Sequence, residues 1–166
     1  MKSNNIPIFN YPIQTYSYEF SKEVLSERLT ELFQINTIDN NDNQYSGYMS
    51  SKDSFEIKFS HIALVIGFIG NTKLLGSISS EKQERSIIHI NIKPAIGYYV
   101  WFTLGIIFGI VYILQFLDSG NTNHLFASAF SLIIVPFLFV QIFKVFANVL
   151  KERFEKLTAP LNKLKK

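Results

Sequence analysis

The chain has 166 residues, room for one small folded domain of about 100 residues beside anything else it carries. It contains no cysteine, which excludes a disulfide framework, a thiolate metal site and a cysteine nucleophile together. Its net charge of +3 is local rather than general: residues 1–94 hold nine Lys/Arg against ten Asp/Glu, while residues 141–166 hold seven against two, so no direct nucleic-acid binding is expected.

The opening M-K-S-N-N-I-P-I-F-N-Y-P lacks the apolar core and small-residue cleavage site of a secretory signal, and reads as an irregular lead-in. Gln14 to Phe20 then alternates, with Tyr16, Tyr18 and Phe20 on one side and Thr15, Ser17 and Glu19 on the other, which predicts a half-buried strand. Ser21 can cap the next segment, Glu23 suits its first turn, and Leu25, Leu29, Leu32 and Phe33 recur at helical spacing. An amphipathic helix over Ser21–Phe33 is therefore predicted, ended by the turn-forming N-T-I-D-N-N-D-N of Asn36–Asn43.

Phe55, Ile57 and Phe59 alternate with Glu56, Lys58 and Ser60 in a second strand. Leu64–Ile69 is apolar but too short to cross a bilayer, and is either a strand continuation buried on both faces or a loop dipping toward a membrane surface. Leu74–Ser80 and Ser86–Lys93 bracket the charged turn Glu81–Arg85 and predict an antiparallel hairpin. The last strand then runs through Pro94 into apolar sequence.

Ala95–Leu117 carries no charge and, at about 1.5 Å per residue, is long enough to cross a hydrocarbon core of about 30 Å. Leu125–Phe143 repeats this, and the residues between, Asp118–His124, are all polar or glycine. A transmembrane hairpin follows. Lys93 precedes it, the bend has no Lys or Arg, and Lys144, Lys151, Arg153, Lys156, Lys163, Lys165 and Lys166 come after, so the positive-inside rule places both ends in the cytosol. Tyr98, Tyr99 and Trp101 then fall at the cytoplasmic interface with Lys144, Lys151 and Arg153. Beyond the hairpin, Phe146, Val149, Leu150, Phe154 and Leu157 continue at helical spacing to about Ala159, with Pro160 expected to end the helix. That helix either packs back on the strand domain or lies on anionic lipid.

The predicted architecture is a membrane α+β protein: a cytosolic α/β domain over 1–94, with an antiparallel β-meander and one amphipathic helix, a transmembrane hairpin over 95–143, and a basic helical tail over 144–166. Within the hairpin, Gly105-x-x-x-Gly109 lets backbones approach closely, Ala127-x-x-x-Ser131 is a weaker small-residue pair, and Pro136 can kink the second span. Reflection about the bend sets the glycines against Ile133–Phe137, so they seat either the partner helix of the same chain or a second subunit. Gln115 and Gln141 lie toward opposite ends of the spans, and no Asp, Glu, Lys or Arg lies inside them to carry a proton or coupled ion.

No catalytic group, cofactor site or metal site is predicted. His61, His89 and His124 are separated by the topology, Arg85-S-I-I-His89 sits on a strand rather than on a nuclease-like helix, and Gly67, Gly70 and Gly76 match no phosphate-loop spacing.

The order F-E-I-K-F-S-H-I (Phe55–Ile62), L-L-G-S-I-S-S (Leu74–Ser80) and I-I-H-I-N-I-K-P (Ile87–Pro94), leading into two spans and a charged tail, resembles a set of small uncharacterised bacterial membrane proteins with an N-terminal α/β domain and two C-terminal transmembrane helices. That resemblance covers about residues 45–157 and implies the architecture without an activity. More loosely, a small β-domain coupled to two spans is similar to membrane effectors of nucleotide-signalled phage defence, although those place their spans before the β-barrel. The expectation is a non-enzymatic protein of the bacterial inner membrane, with a cytosolic ligand or protein partner and a homo-oligomeric hairpin embedded in the lipid bilayer. The alternative is an immunity or accessory protein anchored there.

Overall fold

A computed structural model of the chain describes residues 9, 11–38, 45–59, 72–82 and 84–163. The Leu64–Ile69 stretch, His61, Gly67 and Gly70 lie outside the described residues. In order come β1 (Gln14–Tyr18), α1 (Lys22–Ile38), β2 (Tyr45–Ser51), β3 (Ser54–Phe59), β4 (Lys73–Lys82) and β5 (Arg85–Lys93), then the helices α2 (Ile96–Ser119) and α3 (Thr122–Ala129), a π-helical stretch (Phe130–Ile134) and α4 (Val135–Lys163).

The five strands form one sheet in the order β1-β5-β4-β3-β2, every neighbouring pair antiparallel. β2 to β5 are a meander, and β1 joins its far edge beside β5. The chain must therefore cross the sheet between β1 and β2, and α1 makes the crossing. Its 17 residues extend about 25 Å, enough for the roughly 19 Å that separates the edges of five strands. Ser21 caps its start, the hydroxyl accepting from the Val24 N–H at 3.4 Å. Leu25, Leu29 and Phe33 are buried from it against the sheet, as their spacing predicts.

Alternation decides the two faces of the sheet. Phe55 and Ile57 of β3, Leu74 and Ile78 of β4, and Ile88, Ile90 and Ile92 of β5 point inward and are buried. Gly76 lies directly opposite Phe55 in the ladder, and a Cβ there would collide with the far end of the Phe55 ring. Glycine thus leaves room for that ring to lie across β4, where it meets Phe33 of α1 at 5.5 Å and stacks on Phe154 of α4 at 5.6 Å. Gly47 of β2 likewise makes room for the Phe33 ring.

Four expectations change. α1 runs to Ile38, so residues 36–38 are helical rather than loop, and residues 39–43 of that predicted turn lie outside the described residues. β2, which was not expected, pairs with β3, with a register shift between Met49 and Ser51. The seven-residue bend shrinks to Gly120 and Asn121: Gly120 takes a left-handed φ of 65° to end α2, and Asn121 caps α3 through the Asn123 N–H. Helix α4 continues past Pro160 to Lys163. A proline so near a helix end forfeits a single backbone bond while its fixed φ stays helical, and Leu161 beyond it is buried.

Both α2 and the following helical run, Thr122–Leu161, are long and apolar enough to cross a membrane, and their most apolar windows are 11% and 6% buried. Ile96, Leu117 and Phe126 are each more than 70% exposed. The C-terminal half of α4 behaves otherwise. Phe143, Ala147, Leu150, Phe154 and Leu161 are buried with the sheet's inner face in one apolar core, which resolves the two fates open to the tail: its apolar side packs on the strand domain.

Candidate functional site

Two features of this fold can do work: the joint between sheet and hairpin, and the sheet face turned away from the helices.

At the joint, β5 ends at Lys93 and α2 begins at Ile96, with Ala95 buried between them. Tyr98 is fully buried, and its ring meets Phe143 of α4 at 5.5 Å. Phe9 completes the cluster, its ring within 6 Å of those of Tyr98, Tyr99, Phe102 and Phe143. Phe9 stands in the segment that composition assigns to an irregular lead-in, where the short run I-P-I-F-N-Y, broken by Pro7, shows no sustained periodicity to announce it. Burial also moves Tyr98 out of the interfacial role its sequence position suggests. Tyr99 is half-buried, and Trp101 is exposed and stacks on Phe139 at 6.2 Å. Lys144 is exposed, whereas Lys151 and Arg153 are half-buried, with Lys151 3.7 Å from Glu155 one turn on.

A second set of contacts ties α4 to β1 and to Tyr11 just before it. The Tyr16 hydroxyl donates to Glu155 Oε1 at 2.7 Å, the Tyr11 hydroxyl donates to Asn148 Oδ1 at 2.8 Å, and the Tyr16 ring meets Phe154 at 5.4 Å. Burial pushes the Tyr16 phenol well above its ordinary pKa, and the hydrogen bond and negative charge of Glu155 push it further. Burial raises Tyr18 as well. Because the folded chain holds these protons more tightly than the unfolded one, the stability they contribute is complete below about pH 10, where a free tyrosine ionises, and is lost as pH climbs through the raised folded values. Thermal unfolding of the purified chain followed by circular dichroism should show stability falling above pH 10. Tyr16→Phe should flatten that fall while costing about 1 kcal/mol at neutral pH.

Inside the hairpin, the small residues of α2 meet the start of the second helical run. A Cβ on Gly109 would collide with Leu132 Cγ, and one on Gly105 would lie 3.2 Å from both the Ser131 carbonyl oxygen and Val135 Cγ1. The glycines thus face residues 131–135, about half a turn nearer the bend than reflection predicts. Ala127, Ser131 and Pro136 are half-buried, and Ser128, which the small-residue spacing passes over, is buried. Pro136 has no N–H to give the Leu132 carbonyl, and its ring would crowd that oxygen in α geometry. The π-helical stretch precedes it, with the Val135 N–H reaching back five residues to the Phe130 carbonyl. At the tip, His124 stacks on Tyr112 at 6.2 Å.

The outer sheet face carries a polar row that only strand register reveals. Ser54, Ser77, His89 and Thr15 are successive cross-strand partners over β3, β4, β5 and β1. The Thr15 hydroxyl lies 3.4 Å from His89 Nδ1, and the Ser51 hydroxyl 2.6 Å from that of Ser54. Beside the row a shallow groove is lined by Ile13, Leu75, Asn91 and His89. Among the described residues, no three His, Asp or Glu side chains gather as metal ligands would.

Comparison of the chain with protein-family models, with curated proteins and with solved structures finds no match.

Proposed function

We infer that the chain is a non-enzymatic integral protein of a bacterial inner membrane, with both ends in the cytosol. Its outer sheet face receives a ligand or protein partner, and its hairpin responds within the bilayer. The observation that carries this reading is the shared core: Ile92, Ala95, Tyr98, Phe143 and Phe154 belong to one apolar cluster with the sheet, so the domain has no loose tether to its hairpin. Two attachments, the β5–α2 joint and the docked α4, would pass a strain at the sheet into both helices. The sharpest version of the reading is an oligomerising effector of phage defence that perturbs the membrane.

One observation favours the alternative, a membrane-anchored immunity or accessory protein. Gly105 and Gly109 are filled by Ser131, Leu132 and Val135 of the same chain, so that motif is used up inside the hairpin. A hairpin without a spare close-packing face suits an anchor. An effector would have to associate through the broad exposed faces around Ile107 and Phe137.

The absence of native cysteine makes the test direct. Asn123→Cys should react with a membrane-impermeant maleimide from outside intact cells, and Ser77→Cys only after lysis; the reverse pattern would invert the orientation. Ile107→Cys and Phe137→Cys should then cross-link to multimers in native membranes, and induction of the unaltered chain should lower the membrane potential. Monomers throughout, an intact potential and a one-to-one adduct with another protein would replace the effector by the anchor.

A further inference from the structure

We propose that Lys58, Lys73 and Lys93 form a binding row for the phosphate headgroups of anionic lipid in the leaflet that the sheet domain faces. The proposal rests on the membrane reading above and adds the chemistry of a partner to it.

Register brings the three together. Lys58 of β3 is the direct partner of Lys73 in β4, and Lys73 is the direct partner of Lys93 in β5, so all three stand on the outer face in one line across the sheet. Directly opposed side chains have Cβ atoms only about 5 Å apart, and like charges so placed repel. Nothing along the sequence shows this, because the three lysines are separated by 15 and 20 positions. Compensation within the chain is partial. Glu56, itself nearly buried, takes Lys73 at 2.9 Å, and the Lys58 ammonium lies 5.6 Å over the Tyr48 ring. Among the described residues, no carboxylate pairs with Lys58 or with the exposed Lys93.

Position selects the anion. Only Pro94 and Ala95 separate Lys93 from α2, whose first residue, Ile96, is 75% exposed. The row therefore lies at the sheet end from which the apolar helix departs, and it extends sideways by about 5 Å per strand. At the opposite end, basic and acidic residues alternate and offset one another, with Arg85 3.9 Å from Glu19 and Lys82 beside Glu84. Flexible lysine stems in a single line suit a plane of headgroups better than one enclosed soluble phosphate.

Trp101 is the only tryptophan, exposed on α2 just beyond the joint, and it serves as the probe. The full chain is placed in phosphatidylcholine vesicles containing phosphatidylglycerol, with bromine on the acyl chains of one lipid or the other. Brominated phosphatidylglycerol should quench Trp101 roughly fivefold more, per molecule present, than brominated phosphatidylcholine. The pair Lys58→Gln and Lys93→Gln, which leaves the Lys73–Glu56 contact intact, should abolish the preference, and Lys82→Gln at the far end should preserve it. A preference that survives the paired change would overturn the proposal. So would its removal by millimolar inorganic phosphate at constant ionic strength, which would reassign the row to a soluble phosphate. Quenching by neither brominated lipid would sink the membrane reading itself, and the lipid row with it.

Discussion

Replacing Phe154 with alanine is expected to destabilise the folded chain by about 3–5 kcal/mol and to release α4 from the sheet. The ring is fully buried, stacks face to face on Phe55 and meets Tyr16 edge-on. Its position depends on two earlier choices in the chain: Gly76 leaves the space that Phe55 fills, and Phe55 presents the flat face on which Phe154 lies. Truncation leaves a cavity bounded by aromatic rings held by separate elements, which cannot all collapse into it. The purified chain in detergent should melt at a markedly lower temperature, and limited proteolysis should cut in the Lys151–Lys156 region first. An unchanged melting temperature would mean that α4 is held by other contacts.

The second large effect is expected from Gly109→Leu. A Cβ at this position already collides with the Leu132 side chain, and a whole isobutyl group must force α2 away from the π-helical stretch. Tyr112 and His124, stacked at 6.2 Å, report the geometry of the tip. With cysteines at these two positions and no other in the chain, a short bifunctional maleimide should bridge the hairpin efficiently in the parent and poorly in the Gly109→Leu variant. Equal bridging would show that Leu132 can swing aside without separating the helices. The change tests the fold of the hairpin rather than its self-association, since the glycine's neighbour belongs to the same chain. Loss of a membrane effect in such a variant therefore says nothing about subunit contacts, for which the exposed positions 107 and 137 are the sites to alter.

The hairpin could be read from sequence because its signals are local. A charge-free run longer than 20 residues is visible in any window, and Gly120 with Asn121 marks the turn by composition. The strands from Phe55, Leu74 and Ser86 were legible for a similar reason, since period-two alternation of Ile and Phe with polar residues repeats within a few positions. β2, with the sequence Y-S-G-Y-M-S-S, has weak alternation and a glycine that counts against a strand until the Phe33 ring is seen lying over it.

Residue order by itself determined the two long apolar helices, the basic bias of the C-terminal end, the amphipathic first helix and four of the five strands, because charge, period and capping act over a few neighbouring residues. Tertiary structure alone decided that Phe9 and Tyr98 join in one buried cluster, that the tail docks on the sheet, that the glycines seat Leu132 and Val135, and that Lys58, Lys73 and Lys93 share a row. Each of those relations links residues far apart in the chain, and only the packing of helices against the sheet and the register between strands brings them within reach.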